Sequence, residues 1–221
     1  MSQQLILTDD GSYTLFVPAL NEHYHSTHGA LQESLHVFIE AGFKYVVKSI
    51  SQQPIRILEI GFGTGLNALL TFLEAEKEKI NIFYEAIEKY PLSLETLQQL
   101  NYPTLLNAET LFKTIHTAEW EKDISLKNIN GILCKKQIDL LDYQPTQLFD
   151  LIYFDVFAPT IQPDLWSEEI FRKLYNKLTF GGALVTYSSK GIVKEALRSV
   201  GFRLERLSGA AGKRHMLRAV K

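Results

Sequence analysis

Apolar positions recur with two different periods along the chain. Leu5–Thr8 and Tyr13–Val17 read as short strands, and Asp9-Asp10-Gly11-Ser12 between them is hairpin-turn chemistry. Ala30–Ser49 reads as a helix, with Leu31, Leu35, Phe38, Ile39, Phe43, Val46 and Val47 on an apolar stripe and Gly42 interrupting it. Ile55–Ile60 is an apolar strand, and Leu66–Leu73 after it is helix-forming. A second strand is expected over Asn81–Ala86, with Pro91 opening the helix that follows. Tyr102–Asn130 is less patterned, with Phe112 and Trp120 assigned to the core. Ile129–Ile138 contains a third strand, interrupted by Lys135 and Lys136. Phe149–Phe154 is apolar almost throughout, which suits a strand buried on both faces. Pro163–Leu178 reads as a helix, Gly181-Gly182 as a turn, and Ala183–Tyr187 as a fifth strand. Another helix ends before Gly201-Phe202, and Arg203–Leu207 and His215–Val220 close the chain as two strands. Strands alternating with helices predict a parallel sheet.

The 221 residues predict one domain with a small extension: residues 1–50 as a hairpin, loop and helix packed on a core of 51–221. With 23 basic and 25 acidic side chains the net charge is −2, which argues against a general nucleic-acid affinity but leaves room for a local basic patch. Cys134 is the single cysteine, so no disulfide within the chain and no cysteine metal site can form. No signal peptide and no long apolar run is visible, and a cytoplasmic location without membrane attachment is expected.

The candidate chemistry is concentrated around Gly61, Gly63 and Gly65. Strand, glycine turn and helix follow in that order, and bare backbone lets a ligand lie against such a turn. The spacing E-x-G-x-G-x-G differs from the dinucleotide fingerprint G-x-G-x-x-G, and no Gly-Lys-Ser/Thr follows. A nucleotide-binding or purely structural turn remains the alternative. Glu88, 23 residues after Gly65, stands at the tip of the second strand, where a carboxylate takes two ribose hydroxyls or is simply a surface group. Asp155 ends the fourth strand, where open α/β sheets bind ligands; a loop cap is the competing role. The stretch Asn21–Ala30 holds His23, His25 and His28 with Tyr24, Ser26 and Thr27. It is a lid, a solvated loop or, lacking a well-spaced acidic or thiol partner, less fittingly a metal site.

The ordered motifs LTDDGSYTLF, EHYHSTHGA, EIGFGTGLN, IEKYPL, DVFAP and GAAGKRHML together resemble the methyltransferase domain of the MnmC family. The resemblance covers nearly the whole chain and corresponds to the stand-alone form without an FAD oxidase domain. It implies a class I, Rossmann-like fold: a mostly parallel seven-stranded sheet with a C-terminal antiparallel hairpin, plus the small N-terminal extension. It implies S-adenosyl-L-methionine (SAM) as cofactor, no metal, and a tRNA partner whose 5-aminomethyl-(2-thio)uridine at position 34 is methylated. Glu59, Gly61, Phe62, Gly63, Gly65 and Asn67 then match the cofactor loop. Glu88 and Lys89 match the ribose side, and Asp139, with Asp142 second to it, the adenine side. Tyr24, Ser26 and Gly29 match a segment closing over SAM. Asp155 is the implied catalytic residue and also touches cofactor, and Phe157 and Pro159 wall the base. Lys190, Lys213, Arg214 and Arg218 are assigned to tRNA phosphates, with a charged hairpin turn as the alternative for Lys213 and Arg214. The sequence departs from the family at Val156, where a glycine is usual, and at Gln137-Ile138-Asp139, where Gly-Asp is usual. Three rivals stand beside this reading: a methyltransferase for another RNA or small amine, an aminopropyl transferase, and a non-catalytic SAM-binding partner of a tRNA-modifying enzyme. A polyamine pocket should be rich in acidic groups, and Asp155 alone stands at the right strand end. Oligomeric state is left open.

Overall fold

A computed structural model describes residues 3–126 and 129–221. Its centre is an eight-stranded sheet. Four parallel ladders join β7 (Gly131–Lys136), β5 (Ile82–Ile87), β4 (Ile55–Ile60), β8 (Phe149–Phe154) and β9 (Leu178–Thr186), in that spatial order. On one side β11 (His215–Val220) runs antiparallel to β9, and β10 (Arg203–Ser208) is the outer strand of that hairpin. On the other side β6 (Asp123–Leu126) pairs antiparallel with β7. The seven expected strands are therefore present, and β6 is an eighth from the segment with little pattern. The strand order reverses between β4 and β8, so their carboxyl ends flank the crevice where open α/β sheets take ligands.

Alternation along the central strands sends side chains into two cores. Ile55, Ile57, Tyr84, Leu151, Tyr153 and Val185 pack under the helices that include α3 (Leu66–Glu78), α5 (Tyr102–Leu106) and α6 (Glu109–Thr117). Leu58, Ile60, Ile152, Phe154 and Leu184 pack under α7 (Glu168–Asn176) and α8 (Gly191–Val200). All six side chains of β8 are buried, as its nearly continuous apolar run requires, and the one charged group, Asp150, accepts from the Arg56 N–H and the Thr179 hydroxyl.

The N-terminal residues form a separate antiparallel sheet of β1 (Gln4–Leu7), β2 (Tyr13–Val17) and β3 (Glu22–His23). Asn101 ties it to the core: its Oδ1 accepts the Tyr13 N–H at 2.8 Å and its amide donates to the Gly11 carbonyl at 2.8 Å. The expected helix over 30–49 is continuous but not uniform. Short α-helices Ala30–Ser34 (α1) and Lys44–Ser49 (α2) flank a π-helical stretch, Leu35–Phe43. The wider turns displace the apolar stripe, so Val37 is buried and Leu35 is exposed. Gly42 has a packing reason: a Cβ there would lie 3.0 Å from Val185 and 3.2 Å from Tyr153, so glycine lets this helix lie close on the sheet.

Several boundaries differ from expectation. Pro91 does not open a helix; α4 (Leu94–Leu97) starts later, where the Ser93 hydroxyl accepts the Thr96 N–H at 3.2 Å. Pro163–Trp166 is a 3-10 turn preceding α7. β9 begins at Leu178 and carries the two glycines inside it at a register shift. Lys135 and Lys136 lie on β7 rather than interrupting it. Lys135 is buried with its Nζ donating to the His116 carbonyl at 2.9 Å and 4.8 Å above the Trp120 ring, and Lys136 pairs with Glu85 at 3.2 Å. Phe112 is buried, and Trp120 packs partly buried against the same core. Cys134 is buried, and that burial pushes its thiol up to about 12, which makes it an inert packed group. No helix among the described residues is long and apolar enough to cross a membrane.

Candidate active site

The glycine loop leaves β4 with positive φ at Gly61 (90°), Gly63 (48°) and Gly65 (70°). A Cβ at Gly61 would come within 2.4 Å of the Asp155 carbonyl, so only glycine lets the loop pass the end of β8. The N–H groups of Gly61 and Phe62 both donate to the Ile87 carbonyl at 3.1 Å, fastening the loop to the end of β5. Above Gly63 lies the Tyr24 ring, 3.1 Å from where a Cβ would stand. A cavity of about 1000 Å³ opens over this loop, between the ends of β5, β7 and β8 and the segment Glu22–His28.

One side of the cavity carries Glu88, Lys89 and Asp139. Glu88 Oε2 accepts the Gly63 N–H at 3.0 Å and Oε1 the Tyr90 N–H at 2.8 Å, leaving each oxygen a further lone pair. Lys89 Nζ lies 2.6 Å from Asp139 Oδ2, and Asp139 Oδ1 accepts the Leu141 N–H at 3.0 Å. Burial pushes the Asp139 carboxyl up, but these hydrogen bonds and the lysine charges outweigh it and hold it below the usual range. Asp142 does not line the cavity.

Asp155 faces the other side. Its backbone N–H donates to the Ile60 carbonyl at 3.0 Å, continuing the β4–β8 ladder, and its Oδ2 accepts Asn67 Nδ2 at 2.8 Å. The same Asn67 nitrogen donates to Glu59 Oε1 at 3.0 Å, so one amide at the start of α3 bridges two carboxyls. Burial above all pushes Asp155 up, the Asn67 hydrogen bond and Lys213 oppose it, Glu33 adds to it, and the balance stands at about 7. Glu59 is completely buried, which holds it well above the usual carboxylate range. Val156, Phe157, Ala158 and Ile161 wall this side, and Phe157 meets Tyr24 edge to face with ring centres 5.3 Å apart. Tyr187 Oη donates to the Val156 carbonyl at 2.9 Å and Trp166 Nε1 to the Phe157 carbonyl at 2.9 Å, so the loop after β8 is braced from two elements.

The histidines of the N-terminal segment diverge. His23 packs on Phe16, His25 is buried against Thr14, and His28 Nδ1 lies 3.0 Å from Asp9. Among the described residues no three His, Cys, Asp or Glu side chains gather as a metal site.

Several residues assigned to the site lie off the cavity. Glu59 acts from beneath, through Asn67. Gly65 turns into α3 against His116, where a Cβ would stand 2.8 Å from the imidazole. Gly29 packs on Asp10, whose Oδ2 accepts the Gln32 N–H at 2.9 Å at the start of α1. Pro159 is buried outside the cavity, and Ala158 and Ile161 supply the wall instead. Lys190 and Arg214 are exposed and do not line it. Lys213 lines it, but its ammonium is paired with Glu33. Arg218 is a structural cation: it pairs with Glu205, stacks 3.8 Å from the Tyr45 ring centre and donates to the Ala41 carbonyl. Glu33, Tyr187 and Gln162 line the cavity without a signal in the sequence, because each sits in a segment whose pattern reports only packing.

A model of the family described as S-adenosyl-L-methionine-dependent methyltransferase matches residues 93–221, which begins beyond both the glycine loop and Glu88. The tRNA 5-methylaminomethyl-2-thiouridine biosynthesis bifunctional protein MnmC of Burkholderia multivorans is 32% identical over 232 residues, covering 96% of this chain and 34% of that protein. The protein of the same name from Burkholderia thailandensis is also 32% identical over 232 residues, with the same coverage. The chain thus spans about a third of the length of these relatives. Among solved structures, MnmC2 from Aquifex aeolicus superposes with a TM-score of 0.82 at 24% identity, over 99% of this chain and 70% of that one. Spermidine synthase from Thermotoga maritima superposes with a TM-score of 0.58 at 14% identity, over 100% of this chain and 72% of that one. Both likenesses establish the fold. The residues fit SAM: the backbone of Gly61, Phe62 and Gly63 lines the cavity, and the Glu88 carboxylate keeps free lone pairs at its edge. With the family model matching more than half of its length, the chain belongs to the S-adenosyl-L-methionine-dependent methyltransferases.

Proposed function

We propose that the chain methylates the primary amine of 5-aminomethyl-(2-thio)uridine at the wobble position of tRNA, giving the 5-methylaminomethyl product that its MnmC relatives are named for. The observation that carries this reading is Asp155: a carboxyl at the end of β8, beside the glycine loop, with one oxygen held by Asn67 and a proton affinity near neutral. When bound, SAM supplies a methyl group made electrophilic by its sulfonium. On this reading Gly61, Phe62 and Gly63 offer bare backbone to the methionine part, Glu88 takes the ribose hydroxyls, and Asp139 takes the adenine amino group. Lys89 orients Asp139 rather than the ligand. Tyr24 and Ser26 close the lid over the cavity.

An amine needs its lone pair to accept a methyl group, and an aminomethyl group is largely protonated at neutral pH. Asp155 Oδ1 accepts a hydrogen bond from the amine, orients the nitrogen and takes the proton it loses. A base with a proton affinity near the working pH is matched to that task. Phe157 and Tyr24 present ring edges and faces to an extruded uracil. Lys190 and Arg214, exposed and unpaired with acidic groups among the described residues, carry the phosphate contacts. A tRNA acceptor implies the cytoplasm.

A small amine acceptor is the second reading, and one observation favours it. Glu22, Glu33 and Asp164 line the cavity with Asp155, so the acceptor side is more acidic than the strand ends alone suggested. The test is purified protein with methyl-labelled SAM, offered either tRNA bearing 5-aminomethyl-2-thiouridine or free spermidine. Label in the wobble nucleoside supports the proposal, and label in the polyamine alone overturns it.

A further inference from the structure

Glu33 has no assigned role in the proposed transfer to tRNA, yet its carboxyl is fully engaged. It sits on α1, 6% exposed, and lines the cavity together with Asp155, on which its charge acts. A carboxylate so buried needs partners. Oε2 accepts the Ser26 N–H at 2.7 Å, and Oε1 accepts from Lys213 Nζ. One carboxyl therefore joins the lid loop, α1 and the loop between β10 and β11. Lys213 Nζ also stands 4.1 Å from the centre of the Tyr187 ring, and Tyr187 holds the carbonyl of Val156, the residue after Asp155. Beside it Gly212, at φ 79°, packs so closely on His28 that a Cβ would fall 2.1 Å from the imidazole. The hairpin loop and the lid thus meet through the ion pair and again where Gly212 packs on His28.

We propose that the Glu33–Lys213 pair is a positioning device for methyl transfer: it fastens the lid to the β10–β11 hairpin and balances the charge beside Asp155. This rests on Asp155 acting as the acceptor of the amine proton. The groups facing Asp155 are Glu59 and Asn67 from β4 and α3, Tyr84 from β5, and Tyr187 after β9. Glu33 on α1 and Lys213 in the hairpin loop act on it through charge, and Tyr24 and His25 line the same cavity from the lid. Glu88 stands across the glycine loop, its oxygens on two backbone N–H groups. The tyrosines are neutral, His25 is pushed down to about 4 by burial and is neutral too, and burial holds the Glu59 carboxyl well above the usual carboxylate range. Glu33 and Lys213 therefore supply the opposed charges: the first strengthens the hold of Asp155 on a proton and the second weakens it.

Glu33→Gln keeps the shape and an acceptor for the Ser26 N–H while removing the charge, and Lys213→Met keeps chain length without the ammonium. The experiment follows the side-chain carboxyl of Asp155 by carbon NMR across pH in the whole chain, assigned with Asp155→Asn, and measures transfer to the aminomethyl tRNA alongside. The midpoint should fall by about one pH unit in Glu33→Gln, rise by a similar amount in Lys213→Met, and return towards wild type in the double variant. The acidic limb of the rate profile should move with it, kcat changing more than the KM for SAM. Lys213→Arg, which keeps the charge, should titrate as wild type. Midpoints that stay together, or move the same way, overturn the proposal, as does a Lys213→Arg midpoint displaced as far as that of Lys213→Met. If wild type methylates no aminomethyl tRNA while the midpoints diverge, the substrate reading falls and the role of the pair stands. Transfer without divergence has the reverse meaning.

Discussion

Asp155 carries the chemistry because of where a short run of backbone puts it. Its N–H completes the ladder to β4, which fixes the carboxyl at the cavity, and Asn67 occupies one oxygen. Replacing it by asparagine keeps the shape and removes the base. The rate of transfer should fall by about 100-fold or more, while the affinity for SAM stays within about twofold, as equilibrium binding would measure. A matching loss of SAM affinity would make Asp155 a cofactor-binding group instead. In the wild type the rate should rise with pH through about 7, since a base works once its proton has left. Asn67→Ala should lower the rate with less effect on SAM binding, because it frees the Asp155 oxygen and leaves Glu59 without its donor. Asp155 was legible in the sequence, since a carboxylate ending an apolar strand marks the ligand end of such a sheet. Glu33 was not. A glutamate on an amphipathic helix looks solvated until the tertiary fold brings Lys213, 180 residues away, against it.

The glycine loop is the element on which cofactor binding depends, and its glycines do different work. Gly61→Ala forces a β-carbon to 2.4 Å from a main-chain oxygen of the next strand, at a φ of 90°. Neither the backbone nor the neighbour can yield cheaply, so the variant should lose about 2 kcal/mol or more of stability. Gly63→Ala meets the Tyr24 ring, part of the lid, at 3.1 Å, so the lid rather than the sheet must shift. The expected result is weaker SAM binding with a smaller drop in melting temperature than for Gly61→Ala, read by calorimetry and thermal unfolding. Equal loss of stability in both variants would mean that Tyr24 is as rigid as the strand end. Strand, turn and helix were readable here because each has its own signature: an apolar run, glycines, then apolar spacing at helical period. The π-helical stretch and β6 had none. A helix widened by one residue per turn keeps a helix-like composition, and an edge strand with one buried residue of four lacks an alternating pattern.

Across the whole molecule, the buried ionisable groups pull stability in opposite directions as pH changes. The parallel sheet followed from the alternation of elements, but these groups could not be ranked until burial was known. His25 and His116 are pushed down by burial from 6.5 to about 4. The unfolded chain takes up protons at these positions near pH 6.5 and the folded chain resists until about 4, so their contribution is present above 6.5 and is lost on acidification through that window. Asp155 works the other way. Its folded value, raised from 3.8 to about 7, makes the folded chain bind the extra proton between those limits, so its contribution is lost as pH rises through 7. At pH 8 the wild type holds an ionised carboxyl among apolar walls. Asp155→Asn removes that charge and should be more stable there by on the order of 2 kcal/mol, allowing for water in the open cavity. That corresponds to a melting temperature higher by roughly 4–8 °C. As pH falls from 8 to 5 the advantage should shrink, because the variant keeps the histidine loss without the opposing carboxyl. Thermal unfolding of both proteins across this range decides the matter. A variant less stable than wild type at pH 8, or two curves that stay parallel, would mean that Asp155 is not held against its charge. A more stable protein that no longer transfers methyl groups would mark Asp155 as a residue kept for chemistry at the expense of the fold.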